Sequence, residues 1–148
     1  DPQRYEMVRL GQEVLAPYSA PAPAGGALHL LPGQPKAPLP YLGYAPGAYL
    51  GRMVDWVLKQ APSAIHLDRV YETDMAEGLK AMALAGQGLA FLPRSAVHKE
   101  LGEGRLLPAG EGLAVTLEIR LYREKPSAKQ APKTAAQALW AHLLAQTP

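Results

Sequence analysis

The chain has 148 residues, 48% of them hydrophobic and 19% charged, which suits a single domain able to bury about 70% of its unfolded surface. Its net charge is +2 with the basic residues scattered, a pattern that argues against gripping a phosphate backbone, which takes clustered Lys and Arg. It has no cysteine, which excludes a disulfide scaffold, a thiolate metal site and a thiol redox switch.

No apolar run approaches the roughly 18 residues of a membrane-spanning helix. The opening DPQRYEMVRL is neither a signal nor a transit peptide. It lacks an initiator Met, so a fragment or a processed chain is expected.

In chain order, Arg4 to Leu10 alternates as a strand, with Tyr5, Met7 and Val8 expected inside. Gly11-Gln12 reads as a turn, and Glu13 to Ser19 as a second strand that Pro17 pushes toward an edge. Ala20 to Pro40 is rich in proline and reads as a surface loop. Tyr41 to Tyr44 is a short strand. A helix follows over Tyr49 to Gln60, with Leu50, Val54, Val57 and Leu58 on one face. Ile65 to Tyr71 reads as a strand with Ile65, Leu67 and Val70 inward.

The most regular stretch is Glu72 to Val97, ETDMAEGLKAMALAGQGLAFLPRSAV. Asp74 is placed to cap a helix, with Glu77 completing a capping box. Leu79, Met82, Ala83 and Gly86 form one stripe, and Gly86-Gln87-Gly88 supplies a reversal. Leu89 to Leu92 is apolar without alternation, as in a strand buried on both faces. Pro93 ends it, and Ser95 is expected to cap a short helix to Leu101. Arg105 to Leu107 and the alternating Leu113 to Arg123 read as strands, Lys125 to Pro132 as a connection, and Lys133 to Gln146 as a last helix with Ala136, Leu139, Trp140 and Leu143 on its apolar face. Strands alternating with helices imply an α/β fold with a mostly parallel sheet and helices on both faces. Ligands of such sheets bind beyond the carboxyl ends of strands, near helix N-termini. Two such ends are visible, Tyr44 to Tyr49 and Glu72 to Met75.

Enzyme signatures are missing: there is no G-x-S-x-G elbow and no HExxH helix. GQGLAF lacks a third glycine and precedes a strand, where a dinucleotide loop follows one. The four histidines are isolated, so no metal or cofactor is implied. The pairs Asp68 with Glu72 and Asp74 with Glu77 read as caps and solvated charge. Met53, Met75 and Met82 read first as packing residues. Their oxidation as a signal is the alternative, in a chain without cysteine.

The segment from Glu72 to Pro93 resembles the effector-binding domain of LysR-type transcriptional regulators. Glu72, Leu79, Met82, Gly86, Gly88, Leu89, Leu92 and Pro93 carry the pattern: an apolar helix, a G-x-G reversal, a buried strand and LP. LGQEVLAPYSA, GRLLPAG, LEIRLYREK and KTAAQALWAHL resemble the family's flanking elements in the right order. The resemblance implies a type II periplasmic-binding-protein-like fold. Residues 1–124 would form the second effector subdomain, and residues 125–148 a return segment and helix toward the first. The helix-turn-helix and the first part of the effector domain are expected outside this chain. The helix face of Leu139, Trp140 and Leu143 would then pack on the remaining domain or on another molecule.

The resemblance also implies a cytoplasmic, oligomeric regulator, a dimer or tetramer, that meets DNA only through its helix-turn-helix. It would bind a small-molecule effector in a cleft between subdomains. Cleft positions would be Tyr44, Ala45, Pro46, Gly47, Ala48 and Tyr49, with Glu72, Thr73, Asp74 and Phe91. Ala45 and Ala48 replace the hydroxyl residues many members carry there. Tyr44, Tyr49 and Phe91 favour a partly aromatic, less polar pocket, for an effector that is anionic or aromatic. Some members respond to hypochlorite through methionine oxidation, which here would fall on Met53, Met75 and Met82. A transporter's solute-binding domain and a prephenate dehydratase of the same fold remain as alternatives. The first is disfavoured by the missing export signal, the second by the missing Thr-based motif.

Overall fold

The computed structural model describes residues 2–125 and 134–146. The chain forms β1 (Tyr5–Ser19), β2 (Leu39–Tyr44), α1 (Tyr49–Lys59), β3 (Leu67–Thr73), α2 (Ala76–Leu84), β4 (Leu89–Pro93), α3 (Arg94–Gly102), β5 (Leu107–Pro108), β6 (Val115–Glu124) and α4 (Thr134–Gln146). It divides into two compact units, residues 14–116 and residues 1–13 with 117–148.

In the larger unit the strands run in the order β3-β2-β4-β1-β5. β2 is parallel to both β3 and β4, while the last residues of β1 are antiparallel to β4 and β5. The sheet is therefore mixed: its parallel part is the β3-β2-β4 block expected from the strand-helix alternation. The chain passes from β2 to β3 through α1, then back across β2 to β4 through α2. Right-handed crossovers in opposite directions put the two helices on opposite faces. β4 is the centre of the core: Leu89, Ala90, Phe91 and Leu92 are all fully buried, with Leu42, Leu79, Val54 and Leu15. Gly88 lets β4 begin hard against β2, where an added Cβ would lie 2.6 Å from the Pro40 carbonyl oxygen.

Several local expectations are corrected. β1 is one 15-residue strand, not two. Gly11 does not adopt positive φ, so it is extended and makes no turn. Of Tyr5, Met7 and Val8 only Val8 is buried. β3 runs two residues later than expected and Val70 is 52% exposed. The reason is that β3 is an edge strand, paired only with β2, and edges are kept wet and charged. Asp74 does not cap α2 and Ser95 does not cap α3: the N-cap residues are Met75 and Pro93, without side-chain cap bonds.

In the smaller unit the outer part of β1 pairs with β6. Ion pairs Arg4–Glu124, Glu6–Arg123 and Arg9–Glu118 decorate this ribbon, ascending on one strand as they descend on the other. Trp140 of α4 is buried with the Arg123 guanidinium 4.5 Å from its ring centre, a cation–π contact. Leu139 is 56% exposed, so the expected apolar face of α4 is covered at Trp140 and open at Leu139. Most of the expected connection Lys125 to Pro132, and Lys133, lie outside the described residues.

Candidate functional site

β2 and β3 end side by side, with Tyr44 opposite Thr73 in the register. Each strand hands over to a helix, and the two turns differ. After β2 the chain makes Ala45-Pro46-Gly47 with Gly47 at φ 89°, a conformation that favours glycine, and enters α1 from an extended Ala48. No side chain caps α1, so amide groups of its first turn keep hydrogen-bonding capacity and positive polarity. After β3 the turn closes on itself: the Thr73 hydroxyl accepts a hydrogen bond from the Met75 amide at 3.3 Å.

Beside the first turn, under the N-terminal half of α1, is a hollow of about 160 Å³. Tyr44, Ala45, Pro46, Gly47 and Ala48, all candidates from the sequence, form one side of it. Tyr41 and Arg69 form the floor, and Gly51, Arg52 and Asp55 complete the α1 wall. Two close approaches shape it. A Cβ on Gly43 would lie 2.9 Å from the Arg69 guanidinium carbon, so the glycine leaves room for that group across β2. A Cβ on Gly51 would lie 3.0 Å from the Tyr44 Cβ, so α1 sits directly on the strand end.

The Arg69 guanidinium lies 5.4 Å from the Tyr41 ring centre and donates to the Tyr44 carbonyl (3.0 Å) and to Glu72 (2.9 Å). Arg52 donates to the Gly47 carbonyl at 2.8 Å and lies over the Tyr49 ring. Among the described residues no carboxylate pairs with Arg52 and no cation pairs with Asp55. Burial pushes the Tyr41 phenol up to about 12, with Arg69 pulling it back and Asp55 adding to the rise. Burial raises the Tyr44 phenol further, and Tyr41 adds to it. Both phenols are neutral donors at physiological pH. The Tyr44 hydroxyl is buried and has no hydrogen-bond partner among the described residues.

The other sequence candidates lie elsewhere. Tyr49 is 56% exposed and outside the hollow's lining. Glu72 reaches it only through Arg69, and Thr73 and Asp74 belong to the closed turn. Phe91 has no exposure at all: it fills the core of β4 rather than a cleft wall. Met75 is 63% exposed, whereas Met53 and Met82 are partly covered. Among the described residues no cluster of His, Asp and Glu has the makings of a metal site, and no helix is long and apolar enough to cross a membrane.

Residues 1–148 match the family described as LysR substrate binding domain. The chain belongs to this LysR family. It is 32% identical over 120 residues to the HTH-type transcriptional regulator YjiE of Escherichia coli K12, covering 80% of this chain and 38% of that protein. It is equally similar to the HTH domain-truncated transcriptional regulator QseD of Escherichia coli O157:H7, over 80% of this chain and 48% of QseD. This LysR chain thus spans less than half of either curated relative. Among solved structures, full-length HypT of Salmonella typhimurium, described as a hypochlorite-specific LysR-type transcriptional regulator, superposes with a TM-score of 0.82 at 26% identity, over 97% of this chain and 46% of HypT. The fold is accordingly the periplasmic-binding-protein-like one the LysR resemblance implied, and the chain is a regulatory, effector-binding-type domain of a transcription regulator.

Sequence reading of this LysR domain missed Tyr41, Gly51, Arg52, Asp55 and Arg69. Arg52 and Asp55 carried a signal, since positions three apart on a helix share a side. Arg69 carried none: it meets Tyr41 only through the parallel register of β2 and β3.

Proposed function

We propose that this chain senses a small molecule for a LysR-type regulator, and that the molecule binds in the hollow between the β2–α1 turn and Arg69. The observation that carries this reading is the hollow at the β2–α1 turn, one of whose lining residues, Tyr44, has a buried hydroxyl without a partner among the described residues. An unsatisfied buried hydroxyl costs about 1–3 kcal/mol, a cost a hydrogen-bonding ligand removes. Uncapped amides of α1 and the Arg52 guanidinium add attraction for an anionic group. Binding shifts a conformational equilibrium only by the ligand's differential affinity for the two states. In this reading residues 1–124 are the second effector subdomain and residues 125–148 lead toward the first. The regulator works in the cytoplasm as an oligomer, with a helix-turn-helix outside this chain contacting DNA, as the names of its relatives suggest. A thermal-shift screen of small acids, amino acids and aromatic acids tests the site. A true effector at 100 times its Kd stabilises by about 2.7 kcal/mol, and Arg52→Gln weakens that shift for an anionic solute. Equal stabilisation of Arg52→Gln by such a solute, or no stabilising solute, contradicts the reading.

A second reading, oxidant sensing, rests on one observation: Met75 is 63% exposed at the start of α2, and HypT is described as hypochlorite-specific. Thioether oxidation there would put a polar sulfoxide at a helix start. Peptide mass spectrometry after graded hypochlorite is expected to find Met75 modified before Met53 and Met82. Met75 unmodified at doses that oxidise free methionine excludes it.

A further inference from the structure

We propose that the hollow is built for a small zwitterion, an α-amino acid carrying both its carboxylate and its ammonium group. This rests on the small-molecule reading above and specifies the ligand's class.

Both signs of charge are offered at once, and neither is paired with its opposite, although Arg52 also donates to the Gly47 carbonyl. Arg52 has no carboxylate partner and Asp55 no cation among the described residues, although they stand three apart on α1 and both line the hollow. Side chains at that spacing are neighbours, about 5–6 Å apart at Cβ, so one small molecule can touch both. By contrast Arg69, the other cation, is already bonded to Glu72 and to the Tyr44 carbonyl. It serves as a neutralised floor. The carboxylate of the ligand belongs at the Arg52 side, where the uncapped first turn of α1 also presents amide hydrogens. Its ammonium group belongs at Asp55. Tyr44 also lines the hollow; its buried hydroxyl has no partner among the described residues, and its raised phenol keeps that proton for a ligand that reaches it.

Size points the same way. At about 160 Å³ the hollow is smaller than the roughly 300–1,000 Å³ typical of sites for drug-sized ligands. A solute of a few heavy atoms with two opposite charges fits both the volume and the lining.

The test is a matched trio titrated into the 148-residue chain by calorimetry: L-alanine, propionate, which lacks the ammonium, and ethylamine, which lacks the carboxylate, followed by the other common L-amino acids. At least one amino acid is expected to bind, and at least tenfold more tightly than its two single-charge analogues. Asp55→Asn should erase the preference over the acid, and Arg52→Gln the preference over the amine. Both side chains are exposed, so neither change threatens folding. Equal binding of an amino acid and its deaminated acid overturns the zwitterion proposal while the small-molecule reading stands. So does a hollow that binds other solutes of the thermal-shift panel but no amino acid. No binding by any solute sinks both.

Discussion

The turns after β2 and β3 leave adjacent parallel strands at matching register, Tyr44 beside Thr73, and both lead into helices. The turn after β3 satisfies itself, since the Thr73 hydroxyl takes the Met75 amide. The turn after β2 is closed by its backbone alone, the Ala48 amide donating to the Ala45 carbonyl at 3.2 Å. Beside it, among the described residues, lie a buried hydroxyl without a partner and a cation and an anion that have not paired. Neither α1 nor α2 has a side-chain cap, so what separates the two starts is the extra side-chain bond of the closed β3 turn and the unpaired groups left open beside the β2 turn.

The largest effect that separates the two turns is expected at alkaline pH. The Tyr41 phenol is raised from 10.0 to about 12, so its contribution is fully present below pH 10 and is lost as pH climbs toward 12. The slope is about 1.4 kcal/mol per pH unit, and Tyr44 acts in the same direction. Denaturant unfolding between pH 9 and 11.5 should show this loss, and Tyr41→Phe should flatten it. A wild-type curve without that slope contradicts the burial of the open turn's phenols.

Crowding should then discriminate the two helix starts. Gly51→Val places a branched side chain where a Cβ alone would sit 3.0 Å from the Tyr44 Cβ, an overpacking expected to cost about 1–3 kcal/mol. Gly78→Ala, at α2, meets the Thr73 Cγ2 at 3.2 Å and then only ordinary contacts at 3.9 Å with the Thr73 and Tyr71 hydroxyls. There the gain of about 1 kcal/mol in helix propensity offsets the contact. Urea midpoints are expected to fall for the first and stay nearly fixed for the second.

Smaller still is the Thr73–Met75 turn bond. Thr73→Val should cost about 0.5–1 kcal/mol and leave ligand affinity unchanged, because its bond is internal to the closed turn. Tyr44→Phe should do the reverse: stability unchanged or raised by up to about 1 kcal/mol, with affinity reduced. Paired thermal melts and titrations of the two variants check the opposition.

Much of this was legible in the sequence where the signal is local. The helix period over Tyr49 to Gln60 and the unbroken apolar run Leu89 to Leu92 correspond to α1 and the core strand β4. Local signals also misled. Gly11 looked like a turn but is accommodated in an extended strand, and Asp74 with Glu77 looked like a capping box while Thr73 supplies the bond. Half of the hollow was legible in Tyr44 to Ala48, because a proline and a glycine between a strand and a helix mark a turn. Tyr41 and Arg69 are 28 positions apart in sequence yet opposite each other in the β2–β3 register, and no local pattern announces that meeting. Phe91 was misplaced because an aromatic residue in a buried run reads equally as cleft wall or core, and its complete burial makes it core.

The decisive measurement is a backbone-amide NMR titration of this chain with the first solute that stabilises it. The account predicts that the amides of Gly47 to Arg52 move in proportion to occupancy while those of Met75 to Gly78 stay fixed. Shifts concentrated at Thr73 to Gly78, with the β2–α1 turn unmoved, would contradict it.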